Sequence, residues 1–125
     1  MYNLICCVVL AISCMTFSHD KDMSRAEFFK EELRLNEKQL ITINGIDNRY
    51  RIKYQKLNSE IQFRNTELKE VIYETPFSEQ KVKGILSKIS EAESLIKLNN
   101  IKHHFEIEDH LDSYQRMKFN ERFSP

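Results

Sequence analysis

The chain has 125 residues, with 19 Lys and Arg set against 19 Asp and Glu, so its formal net charge is zero and leaves no basic footprint for nucleic acid. One domain is expected at this length, and only two Gly, two Pro and no Trp among many Glu, Lys, Leu and Ile favour an all-α protein. Cys6, Cys7 and Cys14 all lie at the start, which excludes a disulfide framework or a cysteine zinc site in the body from Met15 onward.

Residues 1–18 are uncharged and mostly apolar, and the chain then turns abruptly polar at His19-Asp20-Lys21-Asp22. This pattern reads as a signal peptide or membrane anchor, slightly shorter than the ~20 residues that comfortably span a bilayer. Ala11-Ile12-Ser13 before Cys14 gives a weak lipoprotein cleavage box, so lipidation at Cys14 is a third mode of attachment. Residues 19–24 read as a linker and 25–125 as the working domain. Export places that domain outside the cytoplasm.

Ser24 followed by Glu27 is a capping box, and it predicts a short helix through Leu33 with Phe28, Phe29 and Leu33 on its apolar face. Leu35-Asn36 breaks that helix. Asn36 then caps a second one, expected from Glu37 to about Glu74. Its seam runs Ile43, Asp47, Tyr50, Tyr54, Leu57, Ile61, Arg64, Leu68 and Val71, in alternating steps of four and three. Gly45 costs about 1 kcal/mol relative to Ala and marks a place for a bend.

Thr75-Pro76-Phe77-Ser78 is the turn, with Ser78 as the next cap. The third helix carries its own seam: Val82, Ile85, Ile89, Ala92, Ile96, Asn99, His103, Glu106 and His110. Leu86, Leu95, Leu98 and Phe105 widen its apolar stripe. A last helix is expected after Asp112, with Tyr114, Met117 and Phe119 as packing residues. Long helices joined by a tight turn fold back as an antiparallel hairpin. The expected architecture is therefore an all-α, four-helix hooked hairpin: a long hairpin with a short N-terminal and a short C-terminal helix. Because one hairpin buries only one stripe, Phe28, Phe29, Leu98 and Phe105 need cover, which predicts a homodimer.

Asp47 and His103 interrupt the two apolar seams, and each lies 28 positions from residue 75. Equal counting back from the turn makes them face each other. A carboxylate and an imidazole on facing helices, with Glu106 one turn on, suit a divalent metal such as nickel, cobalt, copper or zinc. The competing readings are an ion pair that fixes the register and a solvated hairpin end. His110 shares a helix face with Glu106. His103 and His110 stand about 10 Å apart, too far for one ion without bending. His104 falls off the seam and is expected to be exposed; Arg64 is expected to snorkel or to pair across an interface. No nucleophile sits in a glycine elbow, and Gly45 and Gly84 are isolated, so no phosphate loop exists and catalysis is not expected.

Two segments begin helices in nearly the same words: Leu35-Asn36-Glu37-Lys38-Gln39 and Leu111-Asp112-Ser113-Tyr114-Gln115. With the exported leader and the hairpin, they resemble the paired Leu-Thr-x-x-Gln motifs of the periplasmic heavy-metal sensor and resistance family, related to the Spy/CpxP stress proteins. Asn36 and Asp112 stand where that family has Thr. Ile101-Lys102-His103-His104-Phe105-Glu106 resembles the His-x-Phe-Glu segment of its nickel/cobalt sensors. The resemblance spans roughly residues 26–123. It implies a periplasmic, non-enzymatic protein that binds a divalent transition metal and signals to an inner-membrane regulatory protein. The alternative it implies is a chaperone or stress adaptor that has lost metal binding. Under the resemblance, His103 matches a metal-binding histidine and Asp47 falls where the sensors use Glu. Ile107 replaces their methionine, and Ala26 and Lys30 replace two histidines. Most of the family's ligand set is thus missing, and His104, Glu106 or His110 would have to complete it.

Overall fold

A computed structural model describes residues 23–125; the expected leader lies outside them. The described chain is all helix: a short element of Arg25–Glu27 (α1) running on into a wide π-helical turn, Phe28–Glu32, then α2 (Glu37–Val71), α3 (Glu79–Glu108) and α4 (Ser113–Phe123). The two long helices form the expected antiparallel hairpin, and the short elements hook over the end remote from the turn.

Each helix starts where its sequence supplies a cap. The Ser24 hydroxyl accepts from the Glu27 N–H while the Glu27 carboxylate accepts from the Ser24 N–H. Asn36 and Gln39 make the same exchange at α2, and Asp112 and Gln115 at α4. Ser78 caps α3. Such caps satisfy N–H groups that have no partner inside the helix, at about 0.5–2 kcal/mol each.

The first short element departs from a plain helix. The Leu33 N–H reaches back five residues to the Phe28 carbonyl, and the wider turn lets neighbouring Phe28 and Phe29 both be buried. Arg34 then takes a left-handed conformation (φ 49°), unusual for a residue with a Cβ, and delivers Leu35 into the core. At the other end, α2 stops at Val71 rather than near Glu74. Tyr73 and Glu74 bond back only three residues, so the chain tightens into the turn before Pro76. Through Gly45 the helix is unbroken.

The two matching motifs meet in space. The Gln39 amide donates both to the Gln115 side-chain oxygen (2.8 Å) and to the His110 carbonyl (2.8 Å). The Gln115 amide donates to the Leu33 carbonyl (3.1 Å). Two capping glutamines thereby satisfy carbonyls at the ends of the first short element and of α3, and tie four helix ends into one polar knot. Leu35 and Leu111 are buried beside it.

The core lies at this hooked end: Phe28, Phe29, Leu33, Leu35, Ile43, Ile46, Tyr50, Ile107, Leu111 and Phe119 form one buried cluster. Phe28 and Phe123 meet edge to face at 5.3 Å, and Phe119 and Phe123 meet tilted at the same distance. Phe28 and Phe29 are therefore covered by the chain's own α4, and do not need a second copy to bury them. Along the shaft the buried apolar residues are Val71, Ile85 and Ala92, because two helices alone can hide one stripe each. Leu57 and Ala92 line the same shallow groove midway along the shaft, in keeping with the counted register.

Candidate functional site

Asp47 and His103 meet across the hairpin. His103 Nε2 stands 2.6 Å from Asp47 Oδ1. The same oxygen accepts from Arg25 Nη2 at 2.9 Å, so three elements converge on one carboxylate. The Tyr50 ring stacks on the imidazole (4.5 Å, 14° between planes), and Tyr54 tilts against it at 6.2 Å. Arg25 itself is held over the Phe29 and Phe123 rings, 5.0 and 5.5 Å from their centres. Arg25 Nε and the Tyr54 hydroxyl are buried and find no hydrogen-bond partner. Burial raises the Tyr54 hydroxyl above the usual tyrosine range; Arg25 pulls it back and Asp47 pushes it further up.

Glu106 lies on the flank of this pair, with Tyr50 between them. It forms an ion pair with Arg49 and accepts a hydrogen bond from the Tyr50 hydroxyl. Burial alone would raise its pKa, but the Tyr50 hydrogen bond, Arg49 and Lys53 outweigh it and hold the carboxyl below the usual range. Burial and the Glu106 hydrogen bond raise Tyr50 in turn.

His104 is not exposed. It is buried on the other side of α3, where α4 folds back over it. Its ring stacks on Phe119 at 4.7 Å, and Nε2 stands 2.7 Å from Asn120 Oδ1. The Asn120 amide donates to Glu108, itself buried and 3.6 Å from the same ring nitrogen. With the asparagine so oriented, its oxygen faces the histidine and His104 Nε2 carries the proton. The His110 side chain is exposed; only its backbone carbonyl takes part, in the glutamine knot. Arg64 bridges Glu60 and Glu67 of its own helix rather than reaching across an interface.

Of the five expected ligands, then, the fold brings Asp47 and His103 into contact, sets Glu106 beside them through Tyr50, and places His104 and His110 elsewhere. Among the described residues no group of three His, Cys, Asp or Glu side chains is gathered closely enough to hold a metal. Ile107 is packed in the core, and Ala26 and Lys30 are exposed. Where a third donor would be needed, the first short element supplies the Arg25 cation. The donor set as arranged does not fit a metal centre.

Sequence reasoning missed Arg25, Tyr50 and Asn120. Tyr50 had a signal, since it stands one seam step after Asp47. Arg25 and Asn120 had none that spacing could reveal, because each reaches its partner only through the packing of a short terminal helix.

Comparison with known proteins returns no matching family model, no matching curated protein and no matching solved structure. Among the described residues no helix is long and apolar enough to cross a membrane.

A second feature lies on α3. Leu98, Ile101 and Phe105 repeat at steps of three and four on a face that α2 does not cover, with Leu95 at its edge; these four side chains are 41–54% exposed. Phe105 meets the His104 ring edge to face at 5.7 Å, and the outer faces of all four stay open to solvent.

Proposed function

We propose that the chain is a non-catalytic binding module: a periplasmic helical-hairpin chaperone or stress adaptor of the Spy/CpxP kind, with no metal in its working cycle. The observation that carries this reading is the row Leu95, Leu98, Ile101 and Phe105, large apolar side chains left uncovered on a helix whose opposite face is well packed. Its chemistry suits transient contact with the exposed apolar segments of a partly unfolded polypeptide. Attachment through residues 1–18, self-association as a homodimer and contact with an inner-membrane regulatory protein belong to this same proposal.

The test is suppression of aggregation of a reduced, unfolding client. The protein is expected to delay aggregation, and the double variant Leu98→Glu/Phe105→Glu to lose that effect while keeping its helical signal and melting temperature. An unchanged delay in the variant would remove the row from the account.

The heavy-metal sensor remains the second reading, favoured by the 2.6 Å approach of His103 to Asp47. It requires Arg25 to withdraw from Asp47. Calorimetric titration with nickel, cobalt, copper and zinc tests it, with His103→Ala as the control.

A further inference from the structure

We propose that Arg25 is a built-in cation at the Asp47–His103 pair, standing where a metal-responsive protein would hold its ion, so that the hook is fastened without metal. The inference deepens the adaptor reading and rests on it in one respect: that reading has no metal in its cycle. Client binding and fastening are nevertheless measured separately, so either can fail alone.

Asp47 Oδ1 receives Arg25 Nη2 at 2.9 Å and His103 Nε2 at 2.6 Å. A carboxylate oxygen offers two lone pairs, and here both are engaged. The guanidinium cannot give up its proton in a protein, so a permanent positive charge stands against that carboxylate. In the contact with the imidazole the carboxylate oxygen accepts, so His103 Nε2 is the donor. A donating nitrogen has no lone pair for a metal, so an ion could not sit between Asp47 Oδ1 and His103 Nε2 as they stand. The contact thus occupies Asp47 Oδ1 and His103 Nε2 with each other, and Arg25 sets a fixed positive charge where an ion would have to approach them.

Arg25 is also built into place. Its guanidinium lies over Phe29 from its own element and Phe123 from α4, so the charge is clamped between aromatic faces as well as paired. The capped start of α1 sets where the side chain begins. One oxygen thus fastens the first short element, α2 and α3, with α4 held through Phe123. A bound metal comes and goes with its concentration, whereas this cation is covalently part of the chain. The clasp is permanent, and the hook stays closed whatever the metal supply.

The experiment compares the full chain with Arg25→Lys, Arg25→Ala and Arg25→His by thermal melting, hydrogen exchange and titration with nickel, cobalt and zinc chlorides. The wild type is expected to show no saturable binding that His103→Ala abolishes. Arg25→Ala should lower the melting temperature and expose the amides of residues 25–33 to exchange, while Arg25→Lys, which keeps the charge, should retain most of both. Arg25→His replaces the cation with a donor beside Asp47 and His103. It should bind metal about 10–100-fold more tightly than the wild type, the range that a neighbouring group commands at a metal site, and lose that gain with His103→Ala. Wild-type binding through His103 as tight as that of Arg25→His overturns the proposal. So does an Arg25→His variant no tighter than the wild type, or an Arg25→Ala variant with unchanged melting and exchange.

Discussion

The two ends of this molecule are built from the same helices and solve different problems. At the hook, four helical elements surround Ile43, Ile107, Leu33 and Phe119, which are all but inaccessible to water. Along the shaft, two helices meet over buried Val71, Ile85 and Ala92, and at the turn Tyr73 and Phe77 stand largely in solvent. The hook also holds the glutamine knot, the Arg25–Asp47–His103 clasp and the His104–Asn120–Glu108 cluster. The lesson is that polar side chains, even histidines and carboxylates in suggestive spacing, are consumed where several chain segments must be joined. The shaft, with little to join, keeps large apolar side chains free for other contacts.

Core truncation should separate the two ends most strongly. Phe119→Ala removes a ring that packs on Phe29, His104 and Phe123, and is expected to cost about 3–5 kcal/mol in chemical denaturation. Ile85→Ala on the shaft should fall near the low end for such changes, about 2 kcal/mol, because partly exposed neighbours can close over the gap. Equal losses would erase the contrast.

The glutamine knot should come next. Gln115→Ala strands the Leu33 carbonyl, leaves the Gln39 amide with only the His110 carbonyl and opens the α4 capping box, at an expected cost of about 1–3 kcal/mol. A double-mutant cycle with Gln39→Ala should show coupling of about 0.5–3 kcal/mol between two residues 76 positions apart. Additive losses would mean that each glutamine only caps its own helix.

Smaller effects should appear as pH limbs. Tyr50 and Tyr54 are raised in the folded state, mainly by burial. The stability they contribute is fully present below the ordinary tyrosine pKa and is lost as pH rises through their raised values. Tyr50→Phe should flatten the alkaline limb of a stability–pH profile. Glu106 is lowered, burial being outweighed by Tyr50, Arg49 and Lys53, so its contribution is present above the ordinary carboxylate range and fades as pH falls through the lowered value. Glu106→Gln should weaken only that acid limb, and modestly, because the carboxylate is partly exposed. A profile unchanged by either substitution would detach these groups from the hook's stability.

The hairpin and its caps were legible in the sequence for simple reasons. Alternating steps of three and four mark a helix seam, and Asn36, Ser78 and Asp112 announce their helices through side chains that fold back on the backbone. The Asp47–His103 contact was legible too, because two polar residues that interrupt apolar seams at equal distances from a turn must meet. What surrounds that contact was not. Arg25 reaches Asp47 only once the first short element has packed against α2, and the capping box that starts that element does not dictate the direction of a long side chain. His104 looked exposed from its place on α3 alone; its burial depends on α4 returning over that face, a tertiary event that no period on α3 encodes. Neither could the motifs alone reveal that Phe28 and Phe29 would be covered by Phe119 and Phe123 within one chain.

The central claim is that the hook's polar cluster holds the fold while the outer face of α3 does the binding. Residue-resolved magnetic resonance during titration with a reduced, unfolded polypeptide tests it most directly. Signals of Leu95, Leu98, Ile101 and Phe105 are expected to shift or broaden with saturation, while those of Arg25, Asp47 and His103 stay where they are. Perturbation centred on Asp47 and His103, with the α3 row silent, would contradict it.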